Sequence, residues 1–147
     1  MTFLSTKERD CSMTDYIIIT GQITGKARPR LNGNTGKVYT PRETKRYEDL
    51  IAWCYKTQRG EFFYDLPVKV TILAEYAIPK GTPKAKREAM LAQSILPTKK
   101  PDIDNIEKIV LDALNGIAYK DDKQVVKTDC IKKYAAESRL LVKVERV

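Results

Sequence analysis

The run Lys100-Pro101-Asp102-Ile103-Asp104-Asn105-Ile106-Glu107-Lys108 constrains this chain more than any other stretch. It sets two carboxylates two residues apart at the start of a predicted helix. A second acidic pair, Asp121-Asp122, follows just beyond that helix. The chain carries a net charge of +8, yet gathers negative charge here. Neighbouring carboxylates repel and raise one another's pKa. A hard divalent cation removes the conflict, because it takes oxygen ligands. Mg²⁺ and Mn²⁺ are both such ions. Such an ion polarises a phosphate and activates water. A basic chain with an acidic centre therefore suggests an enzyme that holds a polyanion and cuts it.

The helix is legible from its spacing. Ile106, Ile109, Val110, Ala113, Leu114 and Ile117 recur at helical intervals and define one apolar face. Asn115-Gly116 ends it, with Gly116 suited to a left-handed cap. Asp104, Lys108 and Asp112 are spaced by four and line a different face. Lys108 stands one turn above Asp104, within reach of a metal-held phosphate. A purely structural reading is also open. Asp104 with Glu107 matches a capping box, and Lys108 with either aspartate matches a surface ion pair. Capping by Asp104 leaves Asp102 unexplained. The short segment after Gly116 is expected to return Asp121-Asp122 toward the same end of the helix.

Pro101-Asp102-x-Asp104-Asn105-x-x-Lys108, then Asp112-Ala113-Leu114-Asn115-Gly116, then Asp121-Asp122-x-Gln124-Val125-Val126 resembles the RusA family of Holliday junction resolvases. Arg28-Pro29-Arg30 and Tyr39-Thr40-Pro41…Thr44…Tyr47-Glu48 resemble the RusA-like proteins of Gram-positive bacteria and their phages. The likeness runs over most of the chain from Met13 onward. It implies a small homodimeric endonuclease that cuts four-way DNA junctions with symmetric nicks, using Mg²⁺. It also implies that Asp102, Asp104 and Asp122 are essential and hold the metal. Lys108 takes the place of the family lysine, and Asp121 is an auxiliary member of the acidic pair. The segment between Gly116 and Asp121 is short here. Family members further suggest a prophage setting.

Charge distribution supports a polyanionic partner. Residues 24–46 sum to +6 and residues 80–100 to +5, so the remainder is −3. Two basic stretches leading into an acidic centre are the layout of a nucleic-acid-binding enzyme; a pair of solvated lysine-rich loops is the plainer alternative. Lys26, Arg28 and Arg30 alternate along an extended segment, which predicts one shared side for backbone phosphates. Lys84, Lys86 and Arg87 fall in a short helix predicted over Lys84 to Gln93. It is expected either to order over DNA or to be a surface helix without a role. There is no histidine, and Cys11, Cys54 and Cys130 are far apart. That excludes the usual Cys/His zinc sites and Ser–His or Cys–His catalysis. No apolar run approaches the ~18 residues that span a bilayer, so no membrane partner is expected and the default location is the bacterial cytoplasm.

The expected architecture is α+β: one domain, a mixed β-sheet with two main helices packed on it, plus the short lysine-rich helix. Residues 1–12 show no periodicity and read as a disordered arm or extension, leaving 13–147 as the endonuclease domain. Tyr16 to Ile23 reads as a strand buried on both faces. A turn at Asn32–Gly36 joins a hairpin. Thr40 caps a helix with Pro41 at its first position, and Tyr47, Leu50, Ile51, Cys54 and Tyr55 form its apolar face. Trp53 lies off that face, in a dimer contact or a second packing surface. Val68 to Ile78 alternates as a half-buried strand. Val125–Tyr134 and Leu140–Val147 are expected to pair as a hairpin through Ala135–Ser138. A nuclease preferring flaps or forks stays open, as does a non-catalytic branched-DNA-binding module. A nucleotide-sugar transferase fits poorly, because no second substrate domain fits in 147 residues.

Overall fold

The computed structural model describes residues 15–39, 41–60 and 63–147. The strands are β1 (Ile17–Thr20), β2 (Arg30–Leu31), β3 (Val38–Tyr39), β4 (Val68–Ala77), β5 (Val125–Ala135) and β6 (Arg139–Arg146). The helices are α1 (Arg42–Arg59), α2 (Lys84–Leu91) and α3 (Ile103–Ala113), with a 3₁₀ turn at Asp122–Gln124. The arrangement is the expected α+β one. A four-stranded mixed sheet in the order β1-β6-β4-β5 carries α1 and α3, and β2 pairs with β3 in a separate ribbon.

Alternation in β4 explains the layering. Val68, Val70, Ile72, Ala74 and Tyr76 are buried, and with Ile106, Ile109 and Val110 of α3 and Tyr47, Ile51 and Tyr55 of α1 they join one core. Successive strand side chains point to opposite faces, so the other face carries Lys69, Thr71 and Glu75. There Lys69 meets Asp129 at 3.0 Å, and Glu75 holds Arg139 and, at 3.4 Å, Lys133. Parallel pairing of β4 with β5 needs a long crossover, which α2 and α3 supply.

Several expectations are corrected. β5 and β6 do not pair with each other; β4 lies between them, parallel to β5 and antiparallel to β6. β1 is buried on one face only, with Ile17 and Ile19 inward and Ile18 outward. It is an edge strand, and Gln58 satisfies the free backbone of Ile18, accepting from its N–H and donating to its carbonyl, both at 2.8 Å. The helix after the ribbon starts at Arg42, with Pro41 at the cap position and no side-chain cap bond. The capping role expected of Thr40 lies outside the described residues. Thr44 is buried on α1 where Leu50 was expected, and Leu50 and Trp53 are exposed. Trp53 therefore has no second packing face within the described chain. The lysine-rich helix ends at Leu91, and Met90 is its buried anchor. Among the described residues no helix is long and apolar enough to cross a membrane.

Candidate active site

α3 begins at Ile103, with Asp104 inside its first turn. Asp102 takes an extended conformation (φ −66°, ψ 152°), and its carbonyl accepts the first helical bond from the Ile106 N–H at 3.1 Å. The N-cap is therefore Asp102, and its side chain makes no capping bond. The capping box that Asp104 and Glu107 would form in the purely structural reading is therefore not made. Glu107 instead accepts weakly from the Thr128 hydroxyl at 3.4 Å. Both Asp102 and Asp104 are exposed, and neither has a hydrogen-bond or ion-pair partner among the described residues.

Asp104, Lys108 and Asp112 line one wall of a cleft of 530 Å³, as their spacing predicts. Lys26, Ala27, Arg28 and Pro29 form the opposite wall. This second wall is held down by the Lys26 N–H, which donates to the Asn105 carbonyl at 2.9 Å. The Ala27 N–H donates to the Thr44 hydroxyl at 3.3 Å. The approach is close enough to require glycine at position 25. A Cβ there would lie 2.6 Å from the Pro101 Cβ and 3.1 Å from the Asn105 Cβ.

Lys26, Arg28 and Arg30 do not share one side as expected, and only Lys26 and Arg28 line the cleft. Arg28 and Arg30 are exposed. Lys26 turns inward, where its ammonium is ion-paired to Glu48 of α1 and lies 3.3 Å from Asp112 of α3. Burial lowers its pKa, but the two carboxylates outweigh burial and the net shift is upward. Lys26 is thus a strut joining two helices. Its alternation with Arg28 and Arg30 did not reveal this, because spacing gives a side and not a partner. On α2, Lys84 and Lys86 are exposed and Arg87 is half-buried.

The second acidic pair sits at the other end of α3. Gly116 ends the helix with φ 75°, and the chain turns through Tyr119, whose carbonyl accepts from the Gly116 N–H at 2.8 Å. The Asp122 N–H then donates to the Asn115 side chain at 2.8 Å, fixing the pair beside the helix C-terminus. Eleven residues at ~1.5 Å per residue make α3 about 16 Å long. Asp121-Asp122 therefore does not return toward Asp102 and Asp104, contrary to expectation. A tight link after a helix end keeps the chain at that end.

Gln124 builds this corner, though the sequence reading gave it no role. Its side-chain oxygen accepts from the Lys120 and Asp121 N–H groups, at 2.9 and 3.2 Å. Its amide donates to the Tyr64 and Leu66 carbonyls, both at 3.1 Å. Asp121 accepts in turn from the Lys123 N–H at 3.0 Å. Asp121-x-x-Gln124 is a capping-box pattern, and that pattern is the signal that could have found it.

Within this corner the two aspartates shift in opposite directions. The Lys123 N–H, then a shared hydrogen bond with Asp122, holds Asp121 below the usual carboxylate range. Asp122 is pushed up, first by that shared bond, then by burial and by the charges of Asp121 and Asp112. Burial, and then Asp122, Asp112 and Asp121, raise the Tyr119 hydroxyl, which donates to the Leu111 carbonyl at 2.8 Å. Carboxylate oxygens are the donor type a hard cation takes. Among the described residues, however, no three such side chains are close enough to hold a metal ion. The acidic residues stand in two separate places: Asp102 and Asp104 at one end of α3, Asp121 and Asp122 at the other.

Comparison with known proteins gives two findings. The family described as endodeoxyribonuclease RusA matches residues 20–145. The uncharacterized protein YqaN of Bacillus subtilis (strain 168) is 34% identical over 131 residues, covering 86% of this chain and 92% of its own.

Proposed function

The chain belongs to the RusA endodeoxyribonuclease family, and from that premise we propose that it is a homodimeric, Mg²⁺-dependent nuclease that resolves four-way DNA junctions by paired symmetric nicks. The observation that carries this reading is the pair Asp102 and Asp104, both exposed and unbonded, with Asp104 lining a cleft beside Lys108 and Arg28. Two carboxylates with no structural duty fit a ligand role better than a capping role.

Asp102, Asp104 and Asp122 would hold the ion. When bound, it supplies charge neutralisation at the scissile phosphate and a more acidic water. Lys108, on the same cleft wall as Asp104, meets the phosphate charge that develops during cleavage. Arg28 and Arg30 hold the flanking backbone with their forked donors. Lys84, Lys86 and Arg87 of α2 extend the basic track, and Asp121 keeps Asp122 in place.

The division of the carboxylates favours a site completed by a second copy. Two α3 helices side by side and antiparallel about a two-fold axis bring Asp102 and Asp104 of one protomer beside the partner subunit's Asp122. The same axis creates a second identical site. Two symmetric sites are what two symmetric nicks require.

Mixing inactive variants tests this directly. Asp104→Asn and Asp122→Asn should each abolish cutting of a synthetic four-way junction in Mg²⁺ while leaving junction binding intact. A mixed dimer of the two variants regains one site with all its carboxylates, so the mixture should nick one strand of each junction. If the mixture stays inactive while mixed dimers form, the shared site is wrong. If Asp104→Asn alone cuts at the normal rate, the metal assignment is wrong. Linear duplex and flap substrates in the same assay separate junction resolution from general branched-DNA cleavage.

A further inference from the structure

The β2–β3 ribbon shows a feature that the proposed chemistry does not use. Leu31 and Val38 face each other across it and are 68% and 67% exposed. The next pair, Arg30 and Tyr39, is also exposed. Opposed residues share a face in an antiparallel pair, so one face of the ribbon is apolar and the other is a cation beside an aromatic ring. Exposed apolar side chains grouped on a projecting element call for a partner.

Three observations indicate the partner. The ribbon begins at Arg30, directly after Arg28 and Pro29 of the cleft wall, so it stands at the cleft's mouth. Its chain neighbours are cationic: Arg28, Arg30, Lys37 and Arg42 flank the apolar pair in sequence, with Arg30 on the opposite face of the ribbon. Finally, its tip is fixed in advance. The Asn32 side chain accepts from the Asn34 and Thr35 N–H groups at 2.9 and 3.3 Å. The Asn32 N–H donates to the Lys37 carbonyl at 2.8 Å. A second copy of the same ribbon would bring like charges together, which disfavours self-association through this face. Nucleic acid offers both complements, phosphate charge and the apolar faces of bases.

We infer that the ribbon is a wedge for the DNA branch point, with Leu31 and Val38 packing on bases whose stacking is interrupted there. Arg28, Arg30 and Lys37 hold the phosphates on either side. Apolar side chains inserted at a base step unstack it and open the duplex, and the wider protein–DNA contact repays the unstacking. This inference rests on the proposed action at branched DNA and adds the element that recognises the branch.

The test uses the full chain in EDTA, so that nothing is cut, with a four-way junction carrying 2-aminopurine at the branch point or in mid-arm. Wild-type protein should raise branch-point fluorescence severalfold and leave the mid-arm signal unchanged. Leu31→Ser with Val38→Ser should lose the rise while still binding the junction. Leu31→Met with Val38→Ile keeps the apolar face and should keep the rise, which guards against a loss caused by misfolding. An equal rise with the serine variant overturns the inference, as does wild-type binding with no rise. A serine variant that changes the sedimentation of the protein without DNA assigns the face to a second copy, and also overturns it. Wild-type protein that fails to bind any branched DNA overturns both this inference and the resolvase reading.

Discussion

Gly25→Ala strikes the contact that sets the width of the cleft. The added methyl would sit 2.6 Å from the Pro101 Cβ and 3.1 Å from the Asn105 Cβ. Carbon atoms rest comfortably at ~3.5–4.0 Å, so the segment must retreat by about 1 Å. Neither neighbour can swing aside, because one belongs to a proline ring and the other is the first side-chain carbon of a helix residue. The same retreat stretches the 2.9 Å bond between the Lys26 N–H and the Asn105 carbonyl beyond useful length. Overpacking costs about 1–3 kcal/mol and the lost bond about 1 kcal/mol. Reduced freedom of the unfolded chain returns about 0.4–1 kcal/mol. The net loss is roughly 1–3 kcal/mol, which lowers Tm by roughly 3–10 °C in a chain of this size. Thermal unfolding followed by circular dichroism measures it. Gly33→Ala is the control, since nothing lies within 4 Å of its added Cβ, and its Tm should hold or rise slightly. A Gly25→Ala midpoint within about 1 °C of wild type would refute the reasoning and show that the cleft wall yields freely.

Two further predictions concern the core and the dimer. Burial pushes Tyr55 and Tyr76 up to about 12 and raises Tyr47 and Tyr119 as well. A phenol whose folded pKa is raised stabilises the fold fully below its unfolded value of ~10 and loses that contribution as pH rises toward the folded value. The protein should therefore unfold in alkali between pH 10 and 12, with the tyrosinate absorbance of these residues appearing together with the loss of ellipticity. Absorbance of all eight tyrosines developing near pH 10 before any unfolding would contradict the burial. The single tryptophan, Trp53, is 62% exposed beside Leu50 on α1, and the proposed dimer is expected to cover it. Its emission should shift to the red on dilution as dimers separate, and Trp53→Glu should give a monomer that no longer cuts junctions. Constant emission across a dilution that does separate the dimer would place the interface elsewhere.

Much of the site was written in the sequence because it rests on one helix. Spacing by four puts Asp104, Lys108 and Asp112 on a common face without help from the rest of the fold, and the structure places them on one cleft wall. The apolar face of α3 and the alternation of β4 are equally local. What escaped were facts set by distant partners. Ala135–Ser138 has the length of a hairpin link, but length says nothing of a third strand, and β4 takes the place between β5 and β6. The inward turn of Lys26 depends on Glu48 and Asp112, neither of them near it in sequence. The direction taken after Gly116 depends on Asn115 catching the Asp122 N–H and on Gln124 tying the corner to residues 64 and 66.

The place of β6 has a consequence for how such a protein is made. β1, near the start of the described chain, pairs with β6 at its end, with Ile17 opposite Val142, and β4 pairs with the other side of β6. Chains emerge from the ribosome N-terminus first, at ~5–20 residues per second. Until the last strand is out, β1 has no neighbour in the sheet and β4 has one open edge. The sheet is thus closed by β6, and a chain that stops before β6 leaves β1 unpaired and one edge of β4 open.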